Sequence, residues 1–374
     1  MVKPSYPFLS VIVPAYNGTG VLPRCLSALI ASDLPRADWE LIVIDDGSTD
    51  DTVGVAAQWA DVIVRLPGPP HGPAYARNRG AEAARGEVVV FIDSDVVVHG
   101  DTLRRLAWSF ASDRQLGAVF GSYDDRPSAE GLVSRYRNLL HHYHHQQNPG
   151  PAETFWAGCG AIRSELFHAV GRFDEWQYPR PSIEDIELGH RLHAAGHPIR
   201  LDPTIQCTHL KRWTLYAMLR TDLLDRGVPW VRLLLADGSF ASRSALNLRR
   251  RERVFTALMG LALACLLLAV VLFDPRWLLG ALGCALPVIV GNLPVYRFLQ
   301  RTGGWGFALG ALPLHLMYYL LNGLAVVLGW TMHGLVGPPE PRPEIQAFAE
   351  VGVQCWPPVP TRPVPHASIE APTG

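Results

Sequence analysis

The sequence predicts an α/β domain built on a mostly parallel sheet with helices on both faces, followed by C-terminal transmembrane helices. Three observations carry this expectation. Short apolar runs alternate with helical patterns across residues 8–120, the signature of strand–helix–strand units. Polar and acidic residues fall where successive strands end, and ligands bind at the carboxyl ends of such strands. From residue 254 the chain carries long stretches without a charge, of the length that crosses a bilayer.

Composition narrows the function. The 374 residues hold 33 Lys+Arg and 34 Asp+Glu, a net charge of −1, so no nucleic-acid partner is expected, because phosphate neutralisation needs a basic surplus. Hydrophobic residues are 48% and charged residues 18%, against roughly 25% charged in a typical soluble domain. That excludes disorder for most of the chain and points to membrane segments. Cys25, Cys159, Cys207, Cys265, Cys284 and Cys355 are widely spaced without a CxxC pair. Neither a disulfide framework nor a zinc ribbon is expected, and a reducing compartment fits. The opening apolar run Val11–Val13 ends at Pro14 and is too short for a signal peptide, which places the first part of the chain in the cytoplasm.

Element by element, Phe8–Val13 reads as a buried strand and Val21–Ala31 as a helix. Glu40–Ile44 is a second strand, with a helix near Val53–Trp59 after the turn DDGSTDDT. Val62–Arg65 is a third strand, Pro73–Ala84 a helix, and Val88–Ile92 a strand running into Asp93-Ser94-Asp95. Arg135–Gln147 reads as a helix or interfacial segment, and Phe155–Arg163 as a Gly-rich loop or strand. Glu184–Ala195 opens with two acids and stops at Gly196, a helix C-cap residue. Ile199–Leu201 is a further short strand. The expected catalytic domain is residues 1–210.

Residues 211–253 mix Trp213, Tyr216 and Trp230 with Leu runs and basic residues, as amphipathic helices at a membrane surface do. Val254–Phe273, Trp277–Tyr296 and Gly306–Trp330 are candidate spans, giving about three transmembrane helices in residues 254–330. Arg249–Arg253 precede the first span, and Arg297 and Arg301 follow the second. The positive-inside rule then puts the N-terminal domain on the cytoplasmic side of an inner or plasma membrane, in a multi-pass arrangement. Residues 331–374 are Pro-rich and aperiodic and are expected to be disordered.

The motifs carry the chemistry. Asp93 and Asp95 share one short turn, and two such carboxylates suit a hard divalent cation, Mg²⁺ or Mn²⁺, which commonly brings a diphosphate. Alone, such a turn is weak evidence. Asp45 and Asp46 end the second strand and can accept from a base N–H or a ribose hydroxyl, although a plain turn explains them as well. Pro14-Ala15-Tyr16-Asn17 ends the first strand and is a candidate wall for a nucleotide. Arg77 reaches a phosphate or faces solvent. Glu184 and Asp185 open a helix, where the dipole favours acids; one of them is a candidate general base.

Taken in order, PAYN, DDGSTD, the strand-terminal DSD, FWAGCGAIRSELFHAVGRFDE and SIEDIELGHRL resemble glycosyltransferase family 2, of the GT-A fold, in a membrane-anchored, bacterial-type form. The resemblance covers about residues 8–215. It implies a nucleotide-sugar donor held by Pro14, Tyr16, Asn17, Asp45, Asp46, Arg77, Asp93 and Ser94, with backbone approach at Gly158 and Gly160. It implies Mn²⁺ or Mg²⁺ on Asp93 and Asp95, with His209 as a further ligand. It assigns Asp185 as base, Glu184 as its orienting partner, and inversion at the anomeric carbon.

The chain lacks the QxxRW motif of processive members and offers only Asp225-Arg226-Gly227-Val228-Pro229-Trp230. Arg226 and Trp230 are candidates for gripping an acceptor phosphate, since Arg suits phosphate geometry. The expected reaction is transfer of one sugar to a lipid-linked or membrane-proximal acceptor. The alternatives are a catalytically silent nucleotide-sugar-binding membrane scaffold, which predicts lost acids, and a sugar-nucleotide pyrophosphorylase, which needs an Arg after the first strand that PAYNGTG lacks. His141, His142, His144 and His145 fit acceptor contact or a solvated helix better than a metal cluster.

Overall fold

A computed structural model describes residues 6–238, 240, 250–338 and 354–356. The chain opens β1 (Leu9–Ala15), α1 (Leu22–Ile30), β2 (Trp39–Asp45), α2 (Thr52–Ala56), β3 (Val62–Arg65), α3 (Pro73–Ala83) and β4 (Val88–Ile92). β3, β2, β1 and β4 lie side by side and parallel. Buried on both faces, they read as continuous apolar runs rather than alternating ones. Leu9, Val11 and Val13 of β1 pack on one side with α1, while Ile12 packs on the other with α3.

Beyond β4 the sheet changes character. β5 (Val96–Val98), α4 (Thr102–Ser112), β6 (Ala118–Tyr123), α5 (Leu132–Gln146), β7 (Gly150–Ala152), β8 (Cys159–Arg163), α6 (Ser164–Ala169), α7 (Glu184–Ala194) and β9 (Ile199–His209) follow. β8 runs antiparallel to both β4 and β6, β6 runs parallel to β9, and β9 runs antiparallel to β5 and β7. The expectation of a mostly parallel sheet therefore holds only for the N-terminal half, and the whole sheet is mixed. Parallel neighbours need a crossover helix; α1–α3 supply these for β1–β4, whereas β8 enters beside β4 from the opposite end. The segment read as loop or strand at 155–163 is a turn leading into β8.

The C-terminal part is helical: α8 (Leu215–Arg220), a wide π-helical turn Thr221–Gly227, α9 (Val228–Ala236), α10 (Arg250–Val271), α11 (Arg276–Gly291) and α12 (Leu293–Val336). Thr214 caps α8, its hydroxyl accepting from the Ala217 N–H at 3.1 Å. α12 breaks at Gly304, where φ is +80°, a value that glycine adopts without strain. The first part of α12 packs on α5 through Val295, Leu299, Phe307 and Ala311 against Tyr136, Leu139 and Leu140. At the far side, the Tyr319 hydroxyl donates to Glu252 at 2.8 Å and accepts from Asn292 at 3.1 Å, which ties α10 to α12.

Two of these helices, α10 and α12, are long and apolar enough to cross a membrane, which is weak evidence by itself. The expected second span differs from the structure. It is interrupted at Asn292 between α11 and α12, and the 16 residues of α11 reach only about 24 Å, short of the ~30 Å hydrocarbon core. The third expected span starts with Phe307, Ala308 and Ala311, which are buried against α5 instead. Most of the expected tail, and Arg249, lie outside the described residues. Within the tail, Gln354–Trp356 form β10, antiparallel to β3, so these three residues are ordered where disorder was expected.

α7 sits unusually close to the chain that leads into β8. A Cβ on Gly189 would lie 2.3 Å from the Phe155 nitrogen and 2.5 Å from the Thr154 carbonyl carbon. Gly189→Ala is therefore expected to destabilise the protein by about 1–3 kcal/mol or more through overpacking. Gly20→Ala, which meets nothing within 4 Å, is expected to stay within about 0.5 kcal/mol. Paired thermal melts of the two variants check this.

Candidate active site

The sheet's topology assembles the site. The Asp93 N–H donates to the Gly158 carbonyl at 3.3 Å, which fixes the start of the acidic turn against the residue that leads into β8. On the other side, Val96 of β5 pairs with His209 of β9, and the Leu210 N–H donates to the Asp95 carbonyl at 2.8 Å. This pairing brings His209 Nε2 to 3.5 Å from Asp95 Oδ2. His209 Nδ1 lies 2.7 Å from Asn138 Oδ1, and the ring stacks on Tyr123 at 4.4 Å and 10°. Asn138 Oδ1 can only accept, so Nδ1 donates to it, and Nε2 is the ring atom aimed at Asp95.

Arg77 is the centre of the charge arrangement. It rides on α3, which approaches the sheet closely enough that a Cβ on Gly80 would lie 2.5 Å from Ile12 and 2.7 Å from Ile44. Its guanidinium donates to Asp93 Oδ1 at 2.6 Å and to Glu184 Oε1 at 2.9 Å. The side chain is 6% exposed. Burial alone would ease its proton off, but Asp93 and Glu184 outweigh burial and hold the charge on. Burial pushes the Asp93 carboxyl up, against the pull of Arg77. The Asp95 carboxyl is held down: burial opposes ionisation, but the bond and charge of His209 and the nearby Lys211 outweigh it.

Asp185 stands at the start of α7 beside Glu184. Its carboxylate accepts from the Ala157 N–H at 3.2 Å and from the Ile186 N–H at 2.8 Å. Burial and the neighbouring Glu184 push its pKa up to about 6, while Arg226 and Arg77 oppose the rise. A carboxylate poised near neutrality inside a cleft is the electrostatic mark of a proton acceptor.

Two cavities meet along the acidic turn. One, of about 1000 Å³, is lined by Pro14, Tyr16, Asp46, Arg77, Asp93, Ser94 and Asp95. The other, of about 360 Å³, shares Arg77, Asp93, Asp95 and Lys211 with it and adds Gly158, Glu184, Asp185, His209 and Arg226. Most of the residues singled out from sequence therefore converge on one two-lobed cleft.

Others serve the frame around it. Asn17, in a left-handed conformation, accepts from the Thr49 N–H at 2.8 Å while its own N–H donates to Ser48 at 2.9 Å. Its side chain ties the β1 turn to the β2 turn and does not line either lobe. Asp45 is buried and accepts from the Ser48 N–H at 3.2 Å. Asp46 does border the larger lobe, but its two oxygens accept from the His71 and Gly72 N–H groups at 2.9 and 2.7 Å. Gly160 lies inside β8, where a Cβ would strike Trp156 and Phe155; its role there is close packing. Trp230 lines neither lobe and faces cavities deeper in the helical part.

Sequence reasoning missed Tyr123, Asn138, Arg137, Trp156 and Lys211. They reach the cleft from β6, α5 and neighbouring loops, and only the antiparallel return of the sheet brings them there. The histidine run divides by helical spacing. His142 and His145 bond the Tyr123 and Gly121 carbonyls at 2.7 and 3.0 Å and clamp α5 to β6, while His141 faces the cleft. Among the described residues, no three His, Cys, Asp or Glu side chains form a ready-made metal site.

Residues 10–171 match the family described as Glycosyl transferase family 2. That match spans less than half of the chain and includes the strand-end acids Asp45, Asp46, Asp93 and Asp95. Validoxylamine A glucosyltransferase of Streptomyces hygroscopicus subsp. jinggangensis is 30% identical over 224 residues, 52% of this chain and 53% of that protein. The chain thus spans about half the length of this curated relative. A mannosyltransferase of Pyrobaculum calidifontis, solved with GDP-Man and Mn²⁺, superposes with a TM-score of 0.53 at 20% identity, over 89% of this chain and 88% of the other. TarS 1–349 of S. aureus, solved with UDP-GlcNAc, gives 0.50 at 17% identity, over 91% and 99%. At these identities the likeness is one of fold, which is GT-A-like.

Arg77→Met would strand two carboxylates within this domain. The variant is expected to lose about 3–5 kcal/mol at neutral pH. Both carboxylates would then have raised pKa values in the folded state, so the penalty should shrink as pH falls through those values and the acids take up protons. Thermal melts of wild type and variant from pH 8 to pH 5 should converge; a gap that stays constant with pH would contradict the ion-triad reading.

Proposed function

We propose that this chain is a membrane-anchored, inverting glycosyltransferase. It moves a sugar from a nucleotide-sugar donor to a hydroxyl of a lipid-linked or membrane-proximal acceptor. The observation that carries the proposal is Asp185. It is a carboxylate tuned to about 6, and it lines the lobe that shares Asp93, Asp95 and Arg77 with the larger donor-sized lobe.

The donor fits the larger lobe. Tyr16, 48% exposed, offers a ring face for the base. Asp46 organises the His71–Gly72 turn beside it, a role for this acid through the loop rather than through its free oxygens. Lys211 and Arg77 border the junction where the diphosphate would lie. Asp95 and His209 fit a divalent cation: they are a carboxylate and an imidazole whose Nε2 points to that carboxylate, with Asn138 holding the ring through Nδ1 as outer-shell partners of metal-bound histidines do. Held there, such a cation would supply positive charge for the departing diphosphate.

Asp185 would take the acceptor's proton as the acceptor oxygen attacks the anomeric carbon. Glu184, already paired to Arg77, fixes the start of α7. One displacement with one base inverts the anomeric centre. Membrane attachment is supported by the outward face of the α10–α11 hairpin, where Val270, Phe273 and Leu279 are 70%, 92% and 72% exposed. Arg250, Arg251 and Arg253 at the base of α10 favour a cytoplasmic catalytic domain, residues 1–210, with 211–253 at the interface.

The pH dependence follows from Asp185. Below its pKa the carboxyl is protonated and cannot accept a proton, so kcat/KM is expected to rise from pH 5 to pH 7 with an inflection near 6. Asp185→Asn is expected to cost about 10²–10⁴-fold and to abolish that inflection. Asn138→Ala is expected to weaken the apparent Mn²⁺ affinity about 10–100-fold, with kcat recovering at saturating metal. Metal titrations of sugar transfer check the second expectation; a lowered kcat with unchanged metal affinity would sink it.

A further inference from the structure

An apolar groove of about 690 Å³ runs between α9, α10 and α12, within the size range of small-molecule sites. Val231 and Leu234 wall it from α9, Leu263 from α10 and Val327 from α12. Its rim is open: Leu263 is 43% and Val327 61% exposed, on the same helices whose outward leucines lack protein cover. Gly260 and Gly323 keep it wide. A Cβ on Gly260 would meet nothing within 4 Å, and one on Gly323 only Thr256 at 3.6 Å.

The groove does not end blindly. Gly227, Trp230 and Asn322 line it and also line a narrower cavity of about 170 Å³ that reaches Asp185 and Arg226. Arg226 makes no ion pair among the described residues, and it also borders the lobe that holds Asp185. An apolar trough thus opens sideways on unpartnered helix faces and narrows toward an unpaired guanidinium and then a carboxylate.

We propose that this groove holds the hydrocarbon chain of the acceptor, a phosphate-bearing lipid. Its phosphate would meet Arg226, and a hydroxyl of its headgroup would extend to Asp185. The inference rests on the glycosyltransferase reading and adds where the acceptor binds and what class it is. The chain is held by the apolar walls, and selectivity for an anionic lipid comes from the guanidinium at the narrow end.

The test measures binding of radiolabelled lysophosphatidylglycerol, which has one chain, one phosphate and free hydroxyls, to the detergent-purified full chain. Gly260→Leu and Val327→Trp fill the groove from opposite walls, so one can fail to fold without ending the test. Nucleotide-sugar binding is measured in parallel as a control for fold. Saturable binding to wild type is expected, weakened about tenfold in each folded variant, the equivalent of roughly two buried methylenes. Glycerol 3-phosphate, lacking the chain, should bind much more weakly. No saturable binding by wild type, or equal binding by the filled variants, would overturn the groove while leaving donor binding intact. Failure of wild type to bind any nucleotide sugar would overturn the glycosyltransferase reading instead.

Discussion

The buried guanidinium of Arg77 holds the two halves of the site together. Asp93 belongs to the turn that ends β4, and Glu184 opens α7, far along the chain. Each carboxylate would carry a heavy desolvation cost alone, and their mutual repulsion would push the turn and the helix apart. One planar cation between them, at 2.6 and 2.9 Å, fixes both in a single geometry. Asp185, next to Glu184, is therefore set against the acidic turn by the same contact. α3 can carry Arg77 into place only because Gly80 lets that helix press on β1 and β2.

Charge divides the cleft into two tasks. The Asp95 carboxyl is held down by His209 and Lys211, which suits the cation ligand proposed for it. Asp185 is pushed up by burial and by Glu184, which suits the base proposed for it. These are acids of similar intrinsic strength a short distance apart, and their environments separate them. The mixed half of the sheet makes the separation possible: β9 returns beside β5 to deliver His209 to the turn, while β8 and α7 deliver Asp185 from the other side. The C-terminal helices then extend the Asp185 lobe toward exposed apolar surface.

The parallel core was legible because its strands are continuous apolar runs punctuated by turns and helical patterns. Asp93 and Asp95 after a strand and Asp185 at a helix start were legible for the same reason: they interrupt apolar or periodic stretches. Asn17 and Asp45 were equally conspicuous, yet their oxygens are spent on neighbouring backbone N–H groups, a local competition that residue type does not reveal. Asn138, Tyr123 and Lys211 were invisible because an antiparallel return strand leaves no periodic mark of which strand it will join. The break at Asn292 and the burial of Phe307 and Ala311 were hidden by hydropathy, since a helix packed on protein and one packed on lipid are both apolar.

The central claim is that one carboxylate, Asp185, activates the acceptor in a single displacement. The most direct measurement is the anomeric configuration of the newly formed linkage, read by proton NMR from a donor of known configuration before any mutarotation. The account predicts inversion. Retention would require a second displacement or attack from the face of the leaving group, and it would contradict Asp185 as the base of a single back-side displacement.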